Sequence, residues 1–154
     1  MTHDQDPFHI LLADDDADDR QFFTEAINEL KLQHTLTVFR DGRELMDYLE
    51  SDQRDEDDDL PHILFLDLNM PYMTGFDCLR AIRKNPKYNN LSVAIYSTSS
   101  SEKDIEETFI GGANIYIRKP NDFVTLKKVI KDVVNMNWQF HSSGMNLETF
   151  LFSI

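Results

Sequence analysis

Short apolar runs alternate along this chain with stretches whose apolar residues recur three and four apart. Ile10-Leu11-Leu12-Ala13 is the first run and reads as a strand. Phe22, Phe23, Ala26, Ile27 and Leu30 follow at helical spacing and predict a helix from about residue 17 to 32. Thr35–Phe39, rich in β-branched and aromatic residues, is a second strand, broken at Asp41-Gly42. Leu45, Met46 and Leu49 mark a second helix, and His62–Leu66 a third strand. Phe76, Leu79 and Ile82 mark a third helix, ended near Asn85-Pro86. Leu91–Tyr96 is the fourth strand, and Ile105, Phe109 and Ile110 belong to a fourth helix closed by Gly111-Gly112. Ile115–Ile117 is a fifth short strand. Phe123, Leu126, Val129, Ile130, Val133 and Val134 give a fifth helix.

Strands that alternate with helices imply a parallel sheet covered on both faces, and right-handed crossovers make it doubly wound. Such sheets bind ligands outside the carboxyl ends of their strands. Strand one delivers Asp14 and Asp15 to that edge, strand three Asp67, and strand four Ser97. Strand five is followed by Arg118-Lys119-Pro120. Strand two ends in Arg40-Asp41-Gly42 and adds nothing as suggestive.

Asp67 is the most telling of these residues. It ends the apolar run Ile63-Leu64-Phe65-Leu66 and is followed, after Leu68-Asn69-Met70, by Pro71. A carboxylate so close to an apolar interior must be paired, metal-bound or reactive. Carboxylates packed together raise one another's pKa unless a cation sits between them. An all-oxygen set with no histidine or cysteine suits a hard ion such as Mg²⁺. Lys119 can sit on a phosphoryl oxygen or hold a carboxylate, and Ser97 can donate to the same oxygen. This set is sufficient for a carboxylate to attack phosphorus and form an aspartyl phosphate. Plainer readings stand beside it. Asp14-Asp15-Asp16 also suits a helix cap with first-turn acids, Asp16 being the cap. Serine at 97 also suits a turn, and Lys119 also suits a solvated lysine before proline.

Composition narrows the function class. The 154 residues, 41% hydrophobic and 28% charged, suffice for one domain that buries roughly 70% of its unfolded surface. The net charge of −13 is lopsided: residues 1–60 hold 19 acidic and 5 basic residues, and residues 61–154 hold 9 and 10. That balance opposes nucleic-acid binding through phosphates and favours cations and basic partner surfaces. Asp55–Asp59 reads first as a solvated loop and second as a docking surface. Cys78 is the only cysteine, so no disulfide framework exists and a reduced, cytoplasmic setting is expected. Cys78 itself reads as a small buried apolar residue, and the five histidines show no ligand spacing. No signal peptide is visible, and no apolar run is long enough to span a bilayer.

In order along the chain, Asp14-Asp15, Asp67, Asn69-Met70-Pro71, Gly75, Ser97 and Lys119-Pro120 resemble the pattern of a response-regulator receiver domain of two-component signalling. The resemblance covers about residues 8–136. It implies a flavodoxin-like, five-stranded parallel sheet in the order 2-1-3-4-5 with five helices. By the same resemblance, Asp67 accepts a phosphoryl group from a sensor histidine kinase or phosphotransfer protein. Asp15 and Asp67 hold Mg²⁺ directly with the backbone carbonyl of Asn69, and Asp14 acts through metal-bound water. Ser97 and Lys119 hold the phosphoryl oxygens. Tyr116 is the switch aromatic, rotating into space that Ser97 vacates and biasing the face of helix four, strand five and helix five. Asn69 and Ser99 influence how fast the phosphoryl group is hydrolysed. A cis bond before Pro120 fits the family. The protein is then no enzyme beyond self-phosphorylation from small donors and self-dephosphorylation.

Two rival readings are weaker. A Mg²⁺-dependent aspartyl-phosphate phosphatase needs a second acid two residues beyond its nucleophile, where this chain has Asn69. A phosphorylation-independent interaction module has no use for the full acid, hydroxyl and lysine set. A loop before strand three and a C-terminal extension also resemble the receivers paired with phytochrome-type kinases.

The extension, residues 137–154, carries one formal charge, Glu148. Leu147, Phe150, Leu151 and Ile154 are spaced for a short amphipathic helix, and Trp138 and Phe140 add aromatic area. It is expected first to pack back on its own domain. The second expectation is a homodimer or partner contact against helices four and five. No effector domain is expected after residue 136, so output is expected through contact with a downstream protein, with phosphorylation shifting the population that binds it.

Overall fold

The computed structural model describes residues 8–51, 60–136 and 150–152. The acidic stretch Asp55–Asp59 and the aromatic residues Trp138 and Phe140 lie outside them. The elements run β1 (Phe8–Ala13), α1 (Ala17–Glu29), β2 (His34–Phe39), α2 (Gly42–Glu50), β3 (Ile63–Leu66), α3 (Gly75–Lys84), β4 (Ser92–Ser97), α4 (Glu102–Ile110), β5 (Ile115–Arg118) and α5 (Phe123–Val134). A 3-10 turn, Pro86–Tyr88, precedes β4. The five strands form one sheet in the order β2-β1-β3-β4-β5, parallel throughout. That is the expected flavodoxin-like order. No helix among the described residues is long and apolar enough to cross a membrane.

Period-two alternation sorts the strand side chains between two cores. Ile10, Leu12, Ile63, Phe65, Ala94, Tyr96, Ile115 and Ile117 join Phe23 of α1 and Leu126 and Ile130 of α5. Leu11, Ala13, Leu64, Leu66, Val93, Ile95 and Tyr116 join Leu45 of α2, Leu79 of α3 and, at the margin, Ile105 and Phe109 of α4. Burial on both faces explains why the inner strands read as continuous apolar runs. Tyr96 and Tyr116 therefore point to opposite sides of the sheet, which matters for the site.

Most strand ends move by one or two residues from the sequence reading, and two element ends differ in ways that matter. The first helix stops at Glu29, not near residue 32, because Lys31 adopts φ 53°, a left-handed conformation that cannot continue an α-helix. The fourth strand runs through Ser97, which is fully buried and pairs with Arg118, so Ser97 is a strand residue and not part of the serine-rich loop.

Part of the C-terminal extension is described. Phe150 is fully buried, with its ring edge-on to Phe109 at 5.3 Å and to Tyr116 at 6.2 Å. Leu151 forms a parallel bridge with Tyr116, and the Phe152 N–H donates to the Tyr116 carbonyl at 2.9 Å. The amphipathic helix expected over Leu147–Ile154 thus does not run through Leu151. Phe150 itself is helical, and the open backbone groups of the edge strand β5 take up Leu151 and Phe152 directly after it.

Candidate functional site

Ladder register brings the predicted residues together. Ala13 pairs with Leu66, and the ladder continues one residue further, since the Asp67 N–H donates to the Ala13 carbonyl at 3.0 Å. Asp14 and Asp67 therefore stand side by side at the carboxyl edge. On the other flank the Lys119 N–H donates to the Ser97 carbonyl at 2.9 Å, which fixes where the lysine leaves β5. The Lys119-Pro120 bond is trans, as X–Pro bonds mostly are, since no cis peptide occurs among the described residues.

The chain after Asp67 turns back sharply, and glycine permits the approach. The Gly75 N–H donates to the Leu68 carbonyl at 2.9 Å. A Cβ on Gly75 would lie 2.2 Å from the Asp67 carbonyl oxygen. Asn69 lies exposed on this loop. Thr74 caps α3 with a reciprocal Thr74–Asp77 box.

Asp14, Asp15 and Asp67 each offer an oxygen within 4.8 Å of the others. Asp14 and Asp67 are buried, and Asp15 is exposed. Asp67 Oδ1 accepts from the Leu68 N–H at 2.8 Å, and Asp14 Oδ1 from the Asp16 N–H at 3.0 Å. The buried Asp14 Oδ2 has no aligned hydrogen bond, although the Lys119 ammonium stands 2.8 Å away as an ion pair. Three carboxylates within reach of one another, two of them buried and offset by the Lys119 ammonium alone among the described groups, form an all-oxygen set that fits a hard divalent cation. Burial pushes the Asp67 carboxyl up to about 7, with Lys119 pulling it down and Asp14 pushing it further up. Burial likewise raises Asp14. For Lys119 burial acts the other way, yet the adjoining carboxylates of Asp14, Asp19 and Asp67 hold the ammonium above its ordinary value.

Lys119 is not a solvated lysine, because its side chain is only 9% exposed. Its ammonium lies 3.6 Å from Asp67 Oδ2 and 2.9 Å from Asp19 Oδ2. It also stands 5.3 Å from the centre of the Tyr96 ring. Asp19 and Tyr96 were missed by the sequence reading. Asp19 is one acid in a run of acids, and Tyr96 ends an apolar strand, so neither stands out in the sequence. Asp16 is the helix cap, accepting from the Asp19 N–H at 2.9 Å.

Ser97 Oγ accepts from the Ser99 N–H at 3.1 Å, and Ser99 Oγ donates to Asp104 at 2.7 Å. Tyr116 is fully buried, its ring on the α4 side of the sheet. Cys78 is buried and its thiol is pushed up to about 12 by that burial, which leaves it inert.

A family model, the response regulator receiver domain, matches residues 10–131. The chain belongs to this family. It is similar to the response regulator Rcp1 of Synechocystis, at 28% identity over 127 residues, 82% of this chain and 86% of that protein. Among solved structures, the Mn²⁺-bound form of Rcp1 superposes with a TM-score of 0.72 at 28% identity, covering 82% of this chain and 91% of that one. A phosphorylated cyanobacterial phytochrome response regulator, RcpA, gives 0.73 at 29% identity with the same coverage. The receiver family is a signalling family, so the fold and acidic edge here belong to a response regulator.

Proposed function

We propose that this receiver domain stores a phosphoryl group on Asp67 and signals through the α4–β5–α5 face. The carrying observation is the buried Asp67 carboxylate, grouped with Asp14 and Asp15 and 3.6 Å from the Lys119 ammonium. A carboxylate oxygen of Asp67 attacks the phosphorus of a phosphohistidine on a sensor kinase or phosphotransfer protein. The P–O bond forms, the P–N bond breaks, and the imidazole leaves with its electron pair. Mg²⁺ at Asp14, Asp15, Asp67 and the Asn69 carbonyl would neutralise the clustered acids and share the incoming charge. Lys119 and Ser97 hold phosphoryl oxygens, and Asn69 and Ser99 influence the lifetime of the product. Asn69 stands where a phosphatase needs its acid, so storage is favoured over turnover.

The switch runs through Ser97, Ser99 and Tyr116, which are already hydrogen-bonded in series. A phytochrome-type kinase fits as donor because three similar proteins are phytochrome or bacteriophytochrome response regulators. The downstream target is a protein. Incubation with Mg²⁺ and phosphoramidate, followed by intact-mass measurement, tests the reading. One base-labile phosphoryl group is expected in the wild type and none in Asp67→Asn or without Mg²⁺. An equal gain in Asp67→Asn would overturn it.

A further inference from the structure

Lys119 has three N–H donors on a long flexible stem, and something must aim them. Among the described contacts, its one aligned hydrogen bond goes to Asp19 Oδ2 at 2.9 Å. The Asp14 ion pair is as short, at 2.8 Å, but out of line, and Asp67 is more distant. Asp19 lies outside the three-acid cluster that could hold a cation, so its charge is available to the lysine. It is also held in place. Its own N–H is bonded to the Asp16 cap in the first turn of α1, 100 residues away in sequence from Lys119. The Tyr96 ring closes another side of the ammonium.

Resting on the phosphoryl-accepting reading of Asp67, we infer that Asp19 is a positioning residue for Lys119. Its carboxylate anchors one N–H of the ammonium and leaves the other two for the side of Asp14 and Asp67, where a phosphoryl oxygen arrives. The lysine then meets the phosphoryl group without a search through its rotamers, which is where preorganisation gains affinity.

The sign of the effect separates this role from that of a nearby charge. Removal of a bystander carboxylate would tighten an incoming anion, whereas removal of an anchor weakens it. The probe is beryllofluoride with Mg²⁺, a phosphoryl mimic, titrated into the full chain and followed by ¹⁹F NMR. Asp19→Ala is expected to weaken beryllofluoride about tenfold, a coupling common between groups in contact. Asp19→Asn keeps an acceptor at the same place and is expected to stay within about threefold of the wild type. Mg²⁺ alone is expected to bind both variants within about twofold of the wild type, as Asp19 is not among the cluster acids. Equal or tighter beryllofluoride binding by Asp19→Ala overturns the inference, and so does an equal loss of Mg²⁺ and beryllofluoride. A wild type that binds no beryllofluoride overturns the parent reading of Asp67 as well. Asp19 is partly exposed and its cap bond uses backbone, so both variants are expected to fold, with unchanged far-UV circular dichroism.

Discussion

The phenol of Tyr116 donates to the backbone carbonyl of Ser99 at 2.9 Å. The N–H of the same Ser99 donates to Ser97 Oγ at 3.1 Å. One residue thus ties the proposed phosphoryl-sensing hydroxyl to the proposed switch aromatic. If Ser97 moves toward a phosphoryl oxygen, the bond that orders Ser99 is lost and Tyr116 loses its fixed partner. The tyrosine ring signal of residue 116 is expected to shift when Mg²⁺ and beryllofluoride are added. In Ser97→Ala the ligand is expected to bind but the shift to vanish. An undiminished shift in Ser97→Ala would remove Ser97 from the relay.

The buried Asp67 gives a signed pH dependence in a buffer without divalent cations. Its folded carboxyl sits at about 7 against an ordinary 3.8. Between those values the folded state keeps a proton that the unfolded state has lost. Stability therefore falls as pH rises from about 4 to 7 and levels off above. The fall from this group is on the order of 4 kcal/mol. Asp67→Asn should flatten that slope and stabilise the metal-free protein at neutral pH. Urea titrations of both proteins across this range would show it, and parallel pH profiles would contradict it.

Mg²⁺ affinity should carry the same signature. A cation competes with the proton on Asp67, so its affinity should rise about tenfold per pH unit below 7 and level off above. Calorimetric titration at three pH values tests this. A pH-independent affinity would place the cation elsewhere.

Arg83 is a structural key that lies away from the site. Its guanidinium donates to the carbonyls of Gly112, Tyr88 and Leu91 and to Asn114 Oδ1, which in turn accepts from the Val93 N–H. Arg83→Ala removes four hydrogen bonds that tie α3 to three other segments, most of them part-buried, and is expected to cost about 3 kcal/mol. Arg83→Lys should recover little, because an ammonium cannot reproduce the fork. Chemical denaturation checks both.

Much of this fold was legible because its strands are short, buried on both faces and separated by recognisable helical periods. The acid, hydroxyl and lysine positions were legible because a doubly wound sheet sends every strand end to one edge. Asp19 was not, since nothing in a run of five acids over residues 14–19 singles out the one that a lysine 100 residues later will meet. Arg83 was hidden for the same reason, as its four acceptors come from segments that only the folded chain brings together. The left-handed Lys31 carries no glycine or asparagine to announce the helix end. At Leu151–Phe152 a helical spacing lost to an open sheet edge, a contest of tertiary origin that local periodicity does not record.

That edge contact yields a further prediction. Phe150 is buried between Phe109 and Tyr116, so Phe150→Ala is expected to cost about 3 kcal/mol. Because the segment docks on its own β5, truncation after Asn135 should lower stability while leaving the particle mass that of one chain. Light scattering coupled to size exclusion tests the latter. A full-length dimer that becomes monomeric on truncation would assign the extension to a homodimer contact.

The most direct measurement asks where the phosphoryl group resides. The full chain is phosphorylated with phosphoramidate and Mg²⁺, reduced with borohydride to convert an aspartyl phosphate to homoserine, and mapped by peptide mass spectrometry. Homoserine at position 67 and at no other aspartate is the expected result. Homoserine at Asp14 or Asp15, or none anywhere while Mg²⁺ binds, would contradict the assignment of Asp67 as the phosphoryl acceptor.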